Sequence, residues 1–217
     1  MRCALTACVA AAAAALSCLP LKAAQAEPIL YTETTTASGT LGGKSFKDRP
    51  LTVHYLGDTA NVASPVPTLI QDTGGVASFY VSDVGAGAFT GGQAVALLFK
   101  PSNGFAIGAN STNPNLLPGG NGAGGNAQGV ILGTSNPALA GYGMTTPIGP
   151  LMGPGVLQSS PAAGGNGTPV SFATTSGNLT LLTVGTVTLT VTLVNQNKER
   201  GDDPNNGGNN GNNERNN

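Results

Sequence analysis

His54 is the one histidine in the chain, and it is the side chain best suited to exchange a proton near neutral pH. A catalytic role would require a nucleophile or a carboxylate within hydrogen-bonding reach. Most of the carboxylates lie beside turn residues, where Asp usually bonds its own backbone, and no Gly-x-Ser-x-Gly nucleophile motif is present. Within residues 28–197, where we expect the folded unit, the carboxylates are Glu33, Asp48, Asp58, Asp72 and Asp83.

Ionisable side chains are scarce in the rest of the chain. Only 9% of the residues are charged, compared with ~25% in typical soluble domains. Lys100 is the only charged residue between positions 84 and 197. We therefore predict that the protein is not an enzyme and has no catalytic residues. A hydrolase that uses His54 with Asp58 or Asp48 is the alternative.

Patterns that resemble cofactor or metal motifs lack the context that those motifs need. Residues 120–125 satisfy the spacing G-x-G-x-x-G, but no strand and helix surround them. Zinc requires three or four His, Cys or carboxylate ligands, and the chain beyond its N-terminal segment has one His and no Cys. Asp58 and Asn61 offer oxygens to a hard cation, although an Asx turn is the simpler interpretation. We predict no cofactor and no metal site.

Aromatic and hydroxyl side chains are the remaining candidates for ligand binding. The chain has no Trp and four Tyr. We assign Tyr80 and Tyr142 as candidate ligand-binding residues, because an exposed aromatic ring offers a flat apolar face to a sugar. Packing of both rings in the core or at its rim is the favoured alternative. Threonine also alternates with apolar residues over positions 186–192. Such a row suits an ice lattice or a polymer surface, or it is simply the solvated face of a sandwich.

Residues 1–26 have the three parts of a secretory signal peptide. Arg2 precedes an apolar run over positions 3–19, and Ala24-Gln25-Ala26 is a small-x-small cleavage site. The run is shorter than the ~20 residues that span a bilayer, so we expect cleavage and no membrane span afterwards. Acylation of Cys18 is a less favoured alternative. All three cysteines lie in this segment, so we expect a mature protein without disulfides.

Strand patterns dominate the remaining sequence, and no segment has helical periodicity with a credible cap. The clearest strand covers residues 184–194, where Val187, Leu189 and Val191 alternate with threonines. The other predicted strands are residues 30–41, 50–56, 76–84, 87–90, 93–100, 129–134, 142–146, 169–175 and 178–183.

About ten short strands separated by Gly, Pro and Asn turns predict an all-β fold. We favour an antiparallel β-sandwich, of jelly-roll or Ig-like type, over a barrel. It forms a single domain over residues 27–200, with flexible glycine-rich loops at 118–129 and 161–168. Residues 201–217 are rich in Asn and contain no apolar side chain, so we expect a disordered tail.

Several turn and strand segments resemble one family in their order along the chain. They are ASGTLGGKSF at residues 37–46, GDTANV at 57–62, DVGAGAFT at 83–90, GYGMTTPIGP at 141–150 and SGNLT at 176–180. The order resembles uncharacterised exported β-sandwich proteins of Gram-negative bacteria, many of which carry a C-terminal PEP-CTERM sorting signal. Residues 201–217 depart from that signal, because they contain no hydrophobic stretch. The resemblance implies an extracellular protein associated with exopolysaccharide or biofilm, and no catalytic residue carries over.

These observations lead to one functional expectation. We expect a secreted, non-enzymatic β-sandwich with a structural or surface-interaction role in the cell envelope or extracellular matrix. The alternative is a module that binds a glycan or a matrix polymer. The expected partners are extracellular polysaccharide or surface proteins. Nucleic acid is not an expected partner, because the few basic residues form no cluster. The expected location is extracellular or on the cell surface, with the periplasm as an alternative.

Overall fold

The computed structural model describes residues 26–90, 94–111, 127–157, 159–160, 168–169 and 171–194. Residues 1–25 of the predicted signal peptide and the predicted tail at 201–217 lie outside the described residues. Most of the two glycine-rich loops also lies outside them.

Almost all of the described chain consists of β-strands, joined by short turns and three single-turn 3-10 helices. The helices are η1 (Thr59–Asn61), η2 (Lys100–Ser102) and η3 (Pro137–Leu139). The strands are β1 (Pro28–Leu41), β2 (Lys44–Asp58), β3 (Val62–Val66), β4 (Leu69–Thr73), β5 (Val76–Val81), β6 (Gly85–Ala88), β7 (Val95–Phe99), β8 (Gly104–Ser111), β9 (Ala127–Ser135), β10 (Ile148–Gly153), β11 (Gly155–Val156), β12 (Ser159–Ser160), β13 (Thr168–Pro169), β14 (Ser171–Phe172), β15 (Leu179–Val184) and β16 (Val187–Leu193).

Two antiparallel sheets form the body of the protein and confirm the predicted all-β sandwich. The first sheet has the order β10-β16-β1-β2-β5-β6, with β15 also beside β1 and β14 beside β15. The second sheet has the order β11-β9-β8-β7-β4-β3. The two-residue strands β12 and β13 pair separately with each other.

Strand β1 lies at the centre of the first sheet. Its side chains alternate between buried positions and half-buried or exposed ones, as a period of two requires when one face of a sheet meets a core. One edge of β1 pairs along its length with β2. The other edge pairs first with β16, over residues 29–34, and then with β15, over residues 37–41. This one strand therefore joins three others into a single sheet.

The inner faces of the two sheets pack on each other through aromatic and aliphatic side chains. Tyr31 of β1 stacks on Phe105 of β8, with ring centroids 5.4 Å apart. Tyr55 of β2 lies on the other side of Tyr31, at 5.9 Å. All three side chains are almost completely buried. The core therefore lies between the sheets, as expected for a sandwich.

Two of the several connections between the sheets are short corners. Asp58 ends β2 and caps η1, because its Oδ1 accepts a hydrogen bond of 2.8 Å from the Ala60 N–H. This is the Asx turn that the sequence favoured over a cation site, and it leads into β3 of the second sheet. The other corner is Pro154, which separates β10 in the first sheet from β11 in the second.

One predicted strand is wrong, and several observed strands were not predicted. Residues 142–146 form bends, not a strand. Gly141 and Met144 have left-handed backbone conformations, with φ of 76° and 62°, which a strand does not accommodate. The strands missed are β3, β4, β8, β10, β11 and β12. Four of them, β3, β8, β10 and β11, contain Pro or Gly, which we interpreted as signs of turns.

Replacing Gly39 with alanine should destabilise the fold. A Cβ atom at Gly39 would lie 2.0 Å from the main-chain oxygen of Thr180, where β1 shifts register against β15. Relief requires a shift of backbone, so we expect a loss of ~1–3 kcal/mol in the free energy of unfolding. Urea unfolding followed by circular dichroism measures the loss. Gly149→Ala is the matched control, because a Cβ there meets no atom within 4 Å. Equal midpoints for both variants would contradict the prediction.

Candidate functional site

The outward side of the first sheet is a surface of hydroxyl-bearing side chains from four adjacent strands. Its side chains belong to the residues that alternate with the buried ones in β1, β2, β5 and β16. We call this surface the hydroxyl face, and its residues are Thr32, Thr34, Thr36, Thr52, His54, Ser78, Tyr80, Thr188, Thr190 and Thr192.

The pairing register aligns these side chains in rows that cross the strands. One row is Ser78, His54, Thr32 and Thr190, and the next is Tyr80, Thr52, Thr34 and Thr188. Neighbouring strands lie ~4.8 Å apart, and residues i and i+2 of one strand lie ~6.7 Å apart. The hydroxyl groups therefore form a regular two-dimensional array.

Apolar side chains border this array. Leu30, Leu56 and Val76 are aligned in the next row of the same surface. Val76 and Leu56 are 67% and 41% exposed, large values for aliphatic side chains. Met152 of β10 is paired with Thr188 and is also exposed. The surface thus places an apolar row directly beside the row of Ser78, His54, Thr32 and Thr190, with the row of Tyr80 on the far side of it.

Tyr80 is the aromatic member of the hydroxyl face. Its side chain is 51% exposed on β5. Its register neighbour toward the sheet edge is Ala86 of β6, whose methyl group is too small to cover a phenol ring. The ring is therefore accessible to a ligand, at one end of the row that continues through Thr52 and Thr34.

Tyr142, the other candidate ligand-binding tyrosine, lies in a different environment. Its side chain is 9% exposed and belongs to the core. Its hydroxyl donates a hydrogen bond of 2.7 Å to the Thr146 main-chain oxygen, and burial raises its pKa. Burial raises the pKa of the neighbouring core residue Tyr31, and Tyr142 adds a smaller electrostatic contribution in the same direction. The structure therefore does not bring Tyr142 together with Tyr80 on one surface.

His54 lies on the hydroxyl face, on the outer side of β2. Its Nδ1 is 3.0 Å from the Thr32 hydroxyl. Asp58 is four residues farther along β2, which corresponds to ~13 Å of strand. Asp48 lies six residues away in the opposite direction, and it bonds the Ser38 hydroxyl. The hydrolase alternative requires a hydrogen-bonded pair of His54 with Asp58 or Asp48, and neither carboxylate forms one.

Glu33 is a buried carboxyl group that the sequence reasoning did not identify as a core residue. It is 0% exposed on the inner side of β1. Neither carboxyl oxygen has a hydrogen-bond partner in the part of the chain that the structure describes. Burial raises its pKa well above the ordinary value. The strict alternation of β1 could have indicated this burial, because it places residue 33 on the same side of the strand as Ile29 and Tyr31.

A second buried carboxyl group, Asp72, belongs to a hydrogen-bonded cluster. The Tyr55 hydroxyl lies 2.9 Å from the Asp72 main-chain oxygen and 3.3 Å from its Oδ1. The Gly75 N–H donates to the same hydroxyl at 3.0 Å. Burial raises the pKa of Asp72 to about 6, although the hydrogen bond from Tyr55 opposes the rise. This cluster ties the β4–β5 turn to β2.

Neither buried carboxyl group belongs to a metal centre of ordinary composition. Among the described residues, no three His, Cys, Asp or Glu side chains are grouped closely enough to hold a metal ion. Asp72 has Tyr55 as its side-chain partner.

Comparisons with known proteins identify no relative. No protein-family profile, curated protein or solved structure matches the chain. Within the described ranges, none of the helices has the length and apolar character needed to cross a membrane.

Replacing Glu33 with glutamine should flatten the dependence of stability on pH. Because the folded-state pKa of Glu33 is raised, the folded protein favours the protonated side chain. The resulting contribution to the free energy of unfolding is fully present below the unfolded pKa of ~4.3 and is lost as the pH rises toward the folded-state pKa. The wild type should lose up to ~1.4 kcal/mol per pH unit from this group until Glu33 ionises in the folded state.

Urea unfolding of the wild type and of Glu33→Gln, between about pH 5 and pH 8, measures this difference. The raised pKa of Asp72 affects both proteins equally and cancels in the comparison. Glu27→Gln, at an exposed position, is the matched control and should follow the wild type. A parallel pH dependence for the wild type and Glu33→Gln would refute the prediction.

Proposed function

We propose that the protein is an exported, non-enzymatic β-sandwich that acts through its surface, in a structural or surface-interaction role in the cell envelope or extracellular matrix. The observation that carries this proposal is the hydroxyl face. It is a wide, solvent-facing array on a rigid sheet, and it bears no Lys, Arg, Asp or Glu.

The positions of the ionisable groups support a role without catalysis. Glu33 and Asp72 are enclosed between the sheets, where a substrate has no access to them. His54 has a threonine hydroxyl as its partner and lies far from Asp58 and Asp48 along β2. General acid–base catalysis needs such groups to converge on an accessible point, and these diverge.

The N-terminal sequence supports export of this domain. Residues 1–26 have the charged, apolar and small-residue parts of a signal peptide. The sandwich builds its core without cysteine, so its stability does not depend on disulfide formation in the destination compartment. The relation to exported PEP-CTERM-type sandwich proteins is part of this proposal and rests on the sequence segments quoted above.

Placing a charge at the centre of the hydroxyl face should release the protein from the surface or matrix. Thr34 is exposed and lies between Thr52 and Thr188 in its row. Thr34→Lys adds a strongly hydrated cation there, and the loss of retention should be about tenfold. The measurement is the ratio of protein in the washed cell-and-matrix fraction to protein in the culture fluid.

The matched control is Ser45→Lys, which adds the same charge at an exposed position near the β1–β2 turn. We expect Ser45→Lys to be retained like the wild type. Equal retention of the two lysine variants, or recovery of the wild type only in the culture fluid, would count against a surface role for this face.

A further inference from the structure

We infer that the hydroxyl face is a binding site for a neutral polysaccharide, with Tyr80 as the stacking platform and the threonine rows as hydrogen-bonding partners. This inference rests on the proposed surface role and names the ligand class of that same surface. The ligand lies flat across β5, β2, β1 and β16.

The charge of the face selects a neutral ligand. Its ten residues are seven threonines, one serine, one tyrosine and one histidine, and none is an acid or a strong base. An acidic polysaccharide or a nucleic acid would leave its anionic groups without cationic partners here, and charged groups lose much free energy when they are desolvated unpaired. The exposed ion pair Arg49–Asp83 involves residues outside the hydroxyl face.

The chemical groups of the face complement those of a sugar chain. Each threonine or serine hydroxyl both donates and accepts a hydrogen bond, as sugar hydroxyls do. A pyranose ring also has an apolar face made of C–H groups, which can stack on the exposed Tyr80 ring or lie against Leu56 and Val76. Hydroxyl rows next to an apolar row therefore match both surfaces of a sugar ring.

The shape of the face favours an extended polymer over a single sugar. A row across four strands is about 14 Å long, which is longer than one sugar ring. Tyr80 stands at one end of such a row and Thr188 at the other. A chain that lies along the row can therefore place one ring on Tyr80 while the following rings contact Thr52 and Thr34.

The face is rigid before any ligand binds, which favours binding energetically. Both edges of β1 are hydrogen-bonded, so its threonines are fixed relative to β2 and β16. Threonine is β-branched and has few χ1 rotamers in a strand. Ordering these side chains therefore costs less entropy than ordering long flexible ones.

The experiment measures co-sedimentation of the purified full-length exported chain with insoluble neutral polysaccharides, using cellulose, chitin and a (1→3)-β-glucan as probes. Alginate, in affinity electrophoresis, is the acidic probe. We expect binding to at least one neutral polysaccharide that persists at high salt, because screening weakens only charge–charge attraction. Tyr80→Ala should weaken this binding about tenfold through loss of the stacking ring.

Tyr80→Phe keeps the ring and should bind within about twofold of the wild type, which separates stacking from the hydroxyl group. Leu182→Ala is the control for loss of an exposed apolar side chain, because Leu182 is 56% exposed and lies outside the hydroxyl face. The circular dichroism of each variant checks folding. Binding that is unchanged in Tyr80→Ala would overturn the inference.

Three other results would also overturn it. They are binding to none of the neutral probes, binding to alginate alone with loss at high salt, and a dimer of the chain that Thr34→Lys dissociates in analytical ultracentrifugation. The retention assay separates the two proposals. If Thr34→Lys loses retention while no neutral polysaccharide binds, the surface role stands and the ligand assignment fails. If Thr34→Lys is retained like Ser45→Lys, the surface role itself fails.

Discussion

The rest of the structure depends on the two-sided hydrogen bonding of β1. This strand pairs with β2 along one edge and with β16 and then β15 along the other. Because the side-chain period of a strand is two, a slip of one residue would move every inner side chain to the solvent side. The pairing therefore determines both what is buried between the sheets and what is presented on the hydroxyl face.

The core between the two sheets contains polar groups as well as aliphatic ones. Tyr31 reaches the Met144 main-chain oxygen at 2.6 Å, and Tyr55 reaches Asp72. These hydrogen bonds fix the 136–147 loop and the β4–β5 turn to the first sheet. Buried polar groups are costly unless they are paired, so each tyrosine defines one position for the loop that it contacts. Glu33 has no such partner among the described residues, and its raised pKa is the electrostatic consequence.

Much of the fold, but little of the candidate site, could be predicted from the sequence. The alternation of Val187, Leu189 and Val191 with threonines predicted β16, and the structure confirms it. The same reasoning predicted strands over residues 30–41 and 50–56, which fall within β1 and β2. It missed β3 and β10, because Pro and Gly occur at sheet edges as well as in turns. It also grouped Tyr80 with Tyr142, whose opposite exposures depend on contacts between segments far apart in the chain.

The sequence by itself determined the period-two patterns, the scarcity of charge and the absence of cysteine beyond the N-terminal segment. Those features are local or compositional, so they need no knowledge of which strands are neighbours. Only the tertiary structure decided that threonines of β1, β2 and β16 form one surface, because pairing between distant strands sets their register. It also decided that Glu33 faces the core, since burial depends on the second sheet that packs over it. The threonines that alternate along β16 in the sequence are therefore part of a larger array that also includes threonines of β1 and β2.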